Sequence, residues 1–254
     1  MPGPRLLLLQ ARVPEDPMKP QEVSCFARTC GLAESSFLSH DLLHGPPSLE
    51  AARRCDALMI GGSGDFLVSR GEPPHLEATL GFLNEIVETG FPTFASCFGF
   101  QLLVAARGGE IVYDPENTEV GTYRLTLTRE GREDELLGAL PPTFLAQMGR
   151  KDRARRLPPG MPNLAWSPRS PYQAFRVPGA PIWATQFHPE LGAEENRARF
   201  RSYLENYQAH LSEEERRAAL ERFRESPATA EILPRFLELA LGLATPRPAR
   251  RLPG

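Results

Sequence analysis

One cysteine stands where the chain is expected to turn sharply from a strand into a helix. The segment ASCFGFQ, residues 95 to 101, continues the apolar run GFPTF, so Cys97 falls between a predicted strand and a predicted helix. Small residues, Ala95 and Gly99, lie two positions on either side of it, as a strand-to-helix elbow requires. A helix N-terminus favours a thiolate, and its free N–H groups can bind an oxyanion. The sequence therefore predicts that Cys97 is a nucleophile and that the Phe98 amide belongs to an oxyanion hole.

A cysteine nucleophile needs a base, and one of the five histidines is followed closely by an acid. In QFHPE, His188 and Glu190 are two residues apart, so their side chains leave an extended backbone on the same side. Pro189 favours that backbone because it fixes its own φ and biases the preceding residue away from helix. A lone histidine at a strand end is more often a surface or capping residue, but the neighbouring carboxylate and the elbow favour a base. We expect His188 to transfer protons and Glu190 to orient it.

A glycine-rich turn, GGSGD at residues 61 to 65, follows another buried strand. In a parallel sheet this turn reaches the same edge as Cys97, so an amide near Gly62 is predicted as the second oxyanion donor. Taken alone, the turn is weak evidence, because such turns usually just end strands. It also lacks the lysine of a phosphate-binding P-loop.

The remaining cysteines, Cys25, Cys30 and Cys55, lie in predicted helix or strand interiors. A free cysteine in such a place usually behaves as a small buried hydrophobe. The chain has no CxxC pair and no cysteine–histidine cluster with zinc-finger spacing. Neither a disulfide framework nor a structural metal site is predicted.

Composition gives an ordinary globular chain of 254 residues, with 41% apolar content, a formal net charge of −3 and a pI near 6.0. Nothing in this charge balance favours nucleic acid or an anionic membrane as a partner. The N-terminal run of four leucines is too short for a signal-peptide core or a membrane span. The expected location is cytoplasmic.

Strands and helices are expected to alternate over the first half of the chain, which indicates an α/β fold with a mostly parallel sheet flanked by helices. From Gly121 the pattern changes to alternating polar and apolar residues, and a proline-containing, loop-rich stretch runs to about Pro181; antiparallel edge strands would fit it. After IWATQF, a further strand, the chain is expected to be helical. We predict an α/β domain at 1–191, a C-terminal helical extension at 192–243 and a disordered tail at 244–254.

Three segments together resemble the class I glutamine amidotransferase domains, in particular stand-alone relatives of the glutaminase domain of GMP synthase. They are FPTFASCFGFQ, the upstream GGSGD, and PIWATQFHPEL with the preceding LPPGMPNLAWSPRSPYQAFRV. The resemblance covers roughly residues 5 to 191 and keeps the order of glycine loop, cysteine and His-x-Glu. It implies a flavodoxin-like fold.

The resemblance also implies roles for individual residues. Cys97 would be the nucleophile, His188 the general base and acid, Glu190 its orienter, and Gln101 would help to position the substrate. The implied reaction releases ammonia from the glutamine side chain through a glutamyl thioester, with no metal or other cofactor. A synthase domain or partner protein normally consumes that ammonia, and the chain shows no obvious nucleotide-binding module for this task.

Two positions depart from the family pattern. Ala95 stands where the family usually has glycine, two residues before the nucleophile. Arg150, two residues before Asp152, stands where GMP-synthase-like domains carry a histidine. The run Arg150 to Arg156 holds five basic residues and one acid, and it is interpreted as a solvated loop in preference to a site for a phosphate or an acidic partner.

Other functions stay open at this stage. The same three side chains would serve a hydrolase acting on γ-glutamyl or other amides. A non-catalytic regulatory or binding module is a third alternative, with the C-terminal helices as its docking surface. Those helices are otherwise expected to cover the sheet, or to form a contact in a homo-oligomer.

Overall fold

The computed structural model describes residues 3–64, 66–204 and 212–243. The predicted tail at 244–254 and Asp65 of the glycine turn lie outside these residues. Eleven strands are described within these ranges: β1 Leu6–Ala11, β2 Phe37–Asp41, β3 Ala57–Ser63, β4 Thr93–Ser96, β5 Glu110–Tyr113, β6 Glu119–Leu127, β7 Thr143–Arg150, β8 Asp152–Arg156, β9 Asn163–Ser167, β10 Ser170–Arg176 and β11 Ile182–Thr185.

The α-helices of the described ranges are numbered in chain order: α1 Met18–Cys30, α2 Leu49–Ala52, α3 Leu76–Glu88, α4 Phe98–Ala106, α5 Arg129–Glu133, α6 Ala193–Ser202, α7 Glu213–Glu221 and α8 Ile232–Leu241. Short 3₁₀ turns join several of them, including Thr229–Glu231 before α8.

Nine strands form one sheet in the order β2-β1-β3-β4-β11-β10-β9-β6-β7. The half from β2 to β11 is parallel, and the half from β11 to β7 is antiparallel. Strands β5 and β8 pair in a separate antiparallel ribbon. The predicted α/β class, with a sheet of parallel strands flanked by helices, is confirmed, and antiparallel strands extend the sheet on one side.

The leucine run of β1 shows why both faces of the sheet are covered. Leu6 and Leu8 belong to a core that includes residues of α1 and α8, whereas Leu7 and Leu9 belong to a core that includes residues of α3 and α4. Successive side chains of a strand point to opposite faces, so an uninterrupted apolar run suits a strand buried between two helical layers.

The region expected to be loop-rich is mostly strand. Prolines there fall between strands or at the second position of β10, and polar side chains of β6, β7 and β10 are buried in hydrogen-bonded pairs. The antiparallel arrangement suggested by TYRLTLT is present as the β6–β7 hairpin, which lies at the edge of the main sheet.

The C-terminal helices pack against the sheet. Residues of α6 and α7, including Phe200, form a small core with Val120 of β6 and with Phe223, which follows α7. Phe236 of α8 contacts Phe94 and Trp183, with ring centroids 5.6 and 6.1 Å apart. Pro234 lies in the first turn of α8, where its missing N–H has no intrahelical role, so it is accommodated at the start of that helix.

Candidate active site

Cys97 occupies the elbow between β4 and α4 with φ 52° and ψ −99°. A positive φ is strained for a residue with a β-carbon, at a cost of about 1–3 kcal/mol. Two hydrogen bonds hold the elbow: the Cys97 N–H donates to the Thr185 carbonyl at 2.7 Å, and the Gln101 N–H donates to the Cys97 carbonyl at 3.1 Å. The strain therefore presents the thiol at the carboxyl edge of the sheet, at the N-terminus of α4.

The two small residues beside the elbow have different roles. A β-carbon on Gly99 would lie 2.7 Å from the Ile60 β-carbon and 2.9 Å from the Ile60 carbonyl oxygen, so only glycine lets α4 pack this closely on β3. Ala95 is fully buried in β4, in register with Ile60 and Ala184 of the neighbouring strands. Its methyl group fills core space, which explains why alanine fits where the related family usually has glycine.

Replacing Gly99 by alanine should destabilise the protein by about 1–3 kcal/mol, because the clash with the β3 backbone forces α4 outward. Denaturant unfolding would measure this change, and labelling of Cys97 would show whether the elbow moves. Gly81 is a matched control, since it is a helical glycine of α3 with open space around its β-carbon position. Gly81→Ala should be neutral or stabilising by up to about 1 kcal/mol. Equal effects of the two substitutions would contradict this packing argument.

His188 and Glu190 form a buried pair next to the elbow. The His188 Nδ1 atom lies 2.6 Å from a Glu190 carboxylate oxygen. The His188 backbone is held by its N–H bond to the Gln147 carbonyl, and the Glu190 carbonyl accepts a hydrogen bond from the Thr29 hydroxyl. The ring of His188 also interacts with the Cys97 thiol. The structure thus brings together the three residues that the sequence predicted as nucleophile, base and orienter.

Electrostatics favour a protonated imidazole beside the Glu190 carboxylate. Burial alone would lower the pKa of His188, but Glu190 and Cys97 outweigh it through charge and hydrogen bonding and raise the pKa to about 9. Burial would likewise raise the pKa of Glu190, but His188 and then Arg199 outweigh it and lower that pKa. The arrangement therefore stabilises an imidazolium that can balance a thiolate.

Sequence reasoning did not identify two groups that lie next to the Cys97 sulfur. The Cys97 thiol points to the Gly149 carbonyl at 3.9 Å, and the Gln186 side-chain nitrogen lies 3.8 Å from the sulfur. Gln186 lies two residues before His188 in QFHPE, so the same spacing argument that paired His188 with Glu190 could have found it.

The side chain of Gln101, which is predicted to bind the substrate, forms its hydrogen bonds within the protein. Its side-chain nitrogen donates to the Asp152 carbonyl and to the Gln186 side-chain oxygen, each at 3.3 Å. The Gln101 side chain is buried and contacts Gln186, which in turn approaches the sulfur. In this structure Gln101 therefore orients Gln186, and a direct substrate contact would require these bonds to exchange.

The two predicted oxyanion donors differ in availability. The Phe98 N–H lies at the first position of α4, where helix geometry provides no intrahelical acceptor. The Gly62 N–H, in contrast, donates to a Glu22 carboxylate oxygen at 3.0 Å. A buried carboxylate from α1 therefore occupies the Gly62 amide in this structure, and Gly62 stays a predicted oxyanion donor.

Gly62 nevertheless lies against the ring of His188, the candidate base. A β-carbon there would be 2.9 Å from the His188 Cε1 atom, so glycine is needed for the ring to fit. Arg12 and Arg199 also approach the same position, within 3.6 and 3.8 Å of that β-carbon. No sequence motif pointed to these two arginines or to Glu22, since Arg12 directly follows β1 and the other two come from α6 and α1.

The basic run Arg150 to Arg156 forms the end of β7 and strand β8, which corrects the interpretation as a solvated loop. Arg150 is fully buried and pairs with the Glu119 carboxylate. Arg153 pairs with Asp114, and Arg155 pairs with Glu110 of β5. Acids of the described residues thus neutralise most of this run, which leaves little charge for a phosphate or an acidic partner.

The described part of the chain holds neither a candidate metal cluster nor a candidate membrane span. Within residues 3–64, 66–204 and 212–243, no three histidine, cysteine, aspartate or glutamate side chains are arranged to hold a metal ion. Over the same ranges, no helix has both the length and the apolar character needed to cross a bilayer.

Comparison with known proteins gives a consistent family. The family model described as Glutamine amidotransferase class-I matches residues 50–205. Among curated proteins, the chain is 30% identical over 122 residues to one of the subunits of the glutamine-hydrolyzing GMP synthase of Methanocaldococcus jannaschii, which covers 48% of this chain and 63% of the relative. It is 35% identical over 106 residues to the glutamine-hydrolyzing GMP synthase of Thermosipho africanus, covering 42% and 20%. The matched part thus spans less than two thirds of these relatives.

Solved structures show the same fold at lower identity. A glutamine amidotransferase from Thermotoga maritima superposes with a TM-score of 0.73 at 19% identity, covering 95% of this chain and 100% of the neighbour. A glutamine amidotransferase from Methylobacillus flagellatus gives a TM-score of 0.66 at 17% identity, covering 99% and 98%. The family model spans more than half of the chain and includes the elbow, the glycine turn and the His-x-Glu motif. The chain therefore belongs to the class I glutamine amidotransferase family.

Proposed function

We propose that this chain hydrolyses the side-chain amide of glutamine through a thioester on Cys97 and supplies the released ammonia to an acceptor. The observation that carries the proposal is that Cys97, on a strained elbow, lies next to the buried His188–Glu190 pair. In this pair the His188 Nδ1 atom is 2.6 Å from a Glu190 carboxylate oxygen. Family membership and the glutamine-hydrolyzing relatives support glutamine as the substrate.

The first half of the proposed reaction forms the thioester. His188 takes the thiol proton on Nε2, since its Nδ1 is bonded to Glu190. The thiolate attacks the amide carbon of glutamine, and the oxygen gains negative charge, which the Phe98 N–H stabilises. His188 then donates this proton to the amide nitrogen, the carbon–nitrogen bond breaks, and ammonia leaves.

The second half regenerates the enzyme. A water molecule attacks the thioester carbon while neutral His188 accepts its proton. The carbon–sulfur bond breaks, the sulfur takes the proton back through His188, and glutamate leaves. The Gly62 amide joins as second donor only if its bond to Glu22 is exchanged for one to the oxyanion.

We further propose that a synthase on another chain consumes the ammonia. The M. jannaschii relative is one of the subunits of a glutamine-hydrolyzing GMP synthase, which supports a partner of this kind. Within the described residues, the whole of the sheet and its covering helices are accounted for by one α/β unit. No contact among the described residues implies a purine nucleotide as the acceptor.

Turnover measurements test the proposed substrate. The purified chain is incubated with glutamine and, separately, with a γ-glutamyl peptide, while ammonia and glutamate are quantified. Equal amounts of ammonia and glutamate from glutamine would support the proposal. Robust turnover of the γ-glutamyl peptide with none of glutamine would instead support the alternative hydrolase, and no turnover of either would support a non-catalytic module.

Selective alkylation gives a second, substrate-independent prediction. Cys97 should be the cysteine that iodoacetamide labels fastest near neutral pH, because it has a helix N-terminus and an imidazole beside it. Burial raises the pKa of Cys25 to about 11 and raises the pKa of Cys30 and Cys55. Peptide mapping by mass spectrometry would give the four rates, and glutamine should slow only the labelling of Cys97. Labelling of Cys25, Cys30 or Cys55 at the same rate as Cys97 would contradict the elbow assignment.

A further inference from the structure

Helix α6, which follows the His-x-Glu motif, places one arginine among the buried carboxylates behind the site. Arg199 is only 5% exposed. One of its terminal nitrogens lies 3.6 Å from a Glu190 carboxylate oxygen, and the other lies 3.7 Å from a Glu22 carboxylate oxygen. Its Nε donates to the Gln21 side-chain oxygen at 2.9 Å, which fixes the plane of the guanidinium.

The two contacts of the guanidinium head are ionic and not hydrogen-bonded. Among the described residues, neither terminal nitrogen of Arg199 has a hydrogen-bond partner, and the same is true of the second oxygen of Glu190. These atoms are buried, where an unscreened charge interacts strongly with its neighbours and an unpaired one is costly. The guanidinium is therefore placed to act through its charge on both carboxylates at once.

Each carboxylate serves a different part of the site. Glu190 binds His188 through one oxygen, and the ion pair with Arg199 uses that same oxygen. Glu22 accepts the Gly62 N–H and also pairs with Arg12. One arginine thus links the group that orients the base to the group that holds the glycine turn.

The other groups facing Glu190 are few. His188 lies on its own segment, and Arg199 approaches from α6. From α1, the thiols of Cys25 and Cys30 lie within electrostatic range, and Arg28 donates to the Glu190 backbone carbonyl. Since the pKa of both thiols is raised by burial, they carry no charge near neutral pH. His188 and Arg199 are thus the cations that face the Glu190 carboxylate among the described residues.

We propose that Arg199 is a positioning residue for the reaction: its guanidinium keeps Glu190 ionised and aligned on His188, and at the same time anchors Glu22 under the Gly62 turn. The inference rests on the thiol chemistry proposed above. It assigns α6 a part in the site through contacts with Glu190 and Glu22.

This role should be measurable in the acid limb of the pH profile of Cys97, the pH range in which its reactivity falls as the pH is lowered. Without the Arg199 charge, Glu190 takes up a proton at higher pH, and a protonated Glu190 no longer supports the imidazolium that balances the thiolate. The pH below which Cys97 loses reactivity should therefore move upward. A shift of about one pH unit makes labelling about tenfold slower on the acid limb and leaves the rate above pH ~8 within about threefold.

The test measures the rate of Cys97 alkylation by iodoacetamide from about pH 5 to 9 in Arg199→Met, Arg199→Gln and Arg199→Lys. Met and Gln should both shift the acid limb upward, and Lys should return it toward that of the wild type. Arg201→Met is the matched control, because Arg201 lies on the same helix with an exposed side chain. Circular dichroism checks that each variant folds. If Arg199→Met does not fold, Arg199→Gln provides the test.

Several results would overturn the proposal. One is a rate that falls by the same factor at every pH in the Met and Gln variants, as a merely structural role predicts. Another is an equal shift in Arg201→Met, and a third is a lysine variant that behaves like the methionine variant. Because alkylation needs no glutamine, a wild-type chain that fails to hydrolyse glutamine would refute the proposed function while the alkylation profiles still decide the role of Arg199.

Discussion

Replacing Cys97 by alanine is expected to abolish glutamine hydrolysis, with a loss on the order of 10⁴-fold or more. No other group at the elbow can form the thioester: the neighbouring Gln186 side chain and Gly149 carbonyl are not nucleophiles of comparable strength. Cys97→Ser should lose nearly as much, because a serine hydroxyl is far less acidic than a thiol. Release of ammonia and glutamate, followed over hours at high enzyme concentration, would measure the residual rate.

Folding controls accompany this substitution. Alanine keeps a β-carbon at φ 52°, so the strain of the elbow is retained and the free energy of unfolding should change by no more than about 1 kcal/mol. Cys55→Ala is the matched control, since Cys55 is buried after α2 and lies outside the site. It should keep wild-type turnover. Turnover by Cys97→Ala within about tenfold of wild type would remove Cys97 from the mechanism.

The elbow and the His-x-Glu pair were predictable because each is set by local geometry. A strand, a small residue and a helix in succession allow one backbone path, and that path appears at Cys97 as a positive φ. A two-residue spacing in extended backbone puts two side chains on one face, as the 2.6 Å contact of His188 with Glu190 shows. Both motifs also lie at carboxyl ends of parallel strands, so the sheet brings them together.

The antiparallel half of the sheet was less predictable, because its strands other than β6 do not show a simple apolar alternation. The same holds for the separate ribbon: β8, which reads DRARR, is a strand because its arginines pair with an acid of β5 and with the Gly108 carbonyl. Sequence patterns show charge but not the partner that neutralises it. This limit also applies to Arg150, whose burial depends on Glu119 from the neighbouring strand.

The polar layer behind the site could not be predicted for a related reason. Glu22, Arg12 and Arg199 are not joined by any local motif, and they meet only when α1, β1 and α6 are packed. Whether the Gly62 N–H is free or bonded depends on this packing and not on the GGSGD motif itself. A glycine turn at a strand end therefore predicts where an amide lies, but its acceptor is known only from the fold.

Substitutions of the other two residues of the candidate triad should have unequal effects. His188→Ala removes the group that carries the proton in both halves of the reaction, so turnover should fall by about 10³-fold or more. Glu190→Gln keeps the volume and a hydrogen-bond acceptor for His188 but removes the charge, and a loss of about 10- to 100-fold is expected. Both losses should appear in kcat more than in KM, since both residues are proposed to act in proton transfer and not in substrate binding. Full activity of His188→Ala would show that another group is the base.

The charge of Glu190 also predicts how the pH profile changes in Glu190→Gln. In the wild type, Glu190 and Cys97 together raise the pKa of His188 to about 9 against the effect of burial. Without the carboxylate, burial weighs more and the pKa of His188 must fall. The imidazolium that balances the thiolate is then lost at lower pH, so the acid limb of Cys97 alkylation, where reactivity falls as the pH falls, should move upward. Titration of the alkylation rate from about pH 6 to 10 measures this limb.

The control is Glu194→Gln, which replaces an exposed acid of α6 and should leave the limb in place. An unchanged limb in Glu190→Gln would mean that the carboxylate aligns the ring without setting its proton affinity.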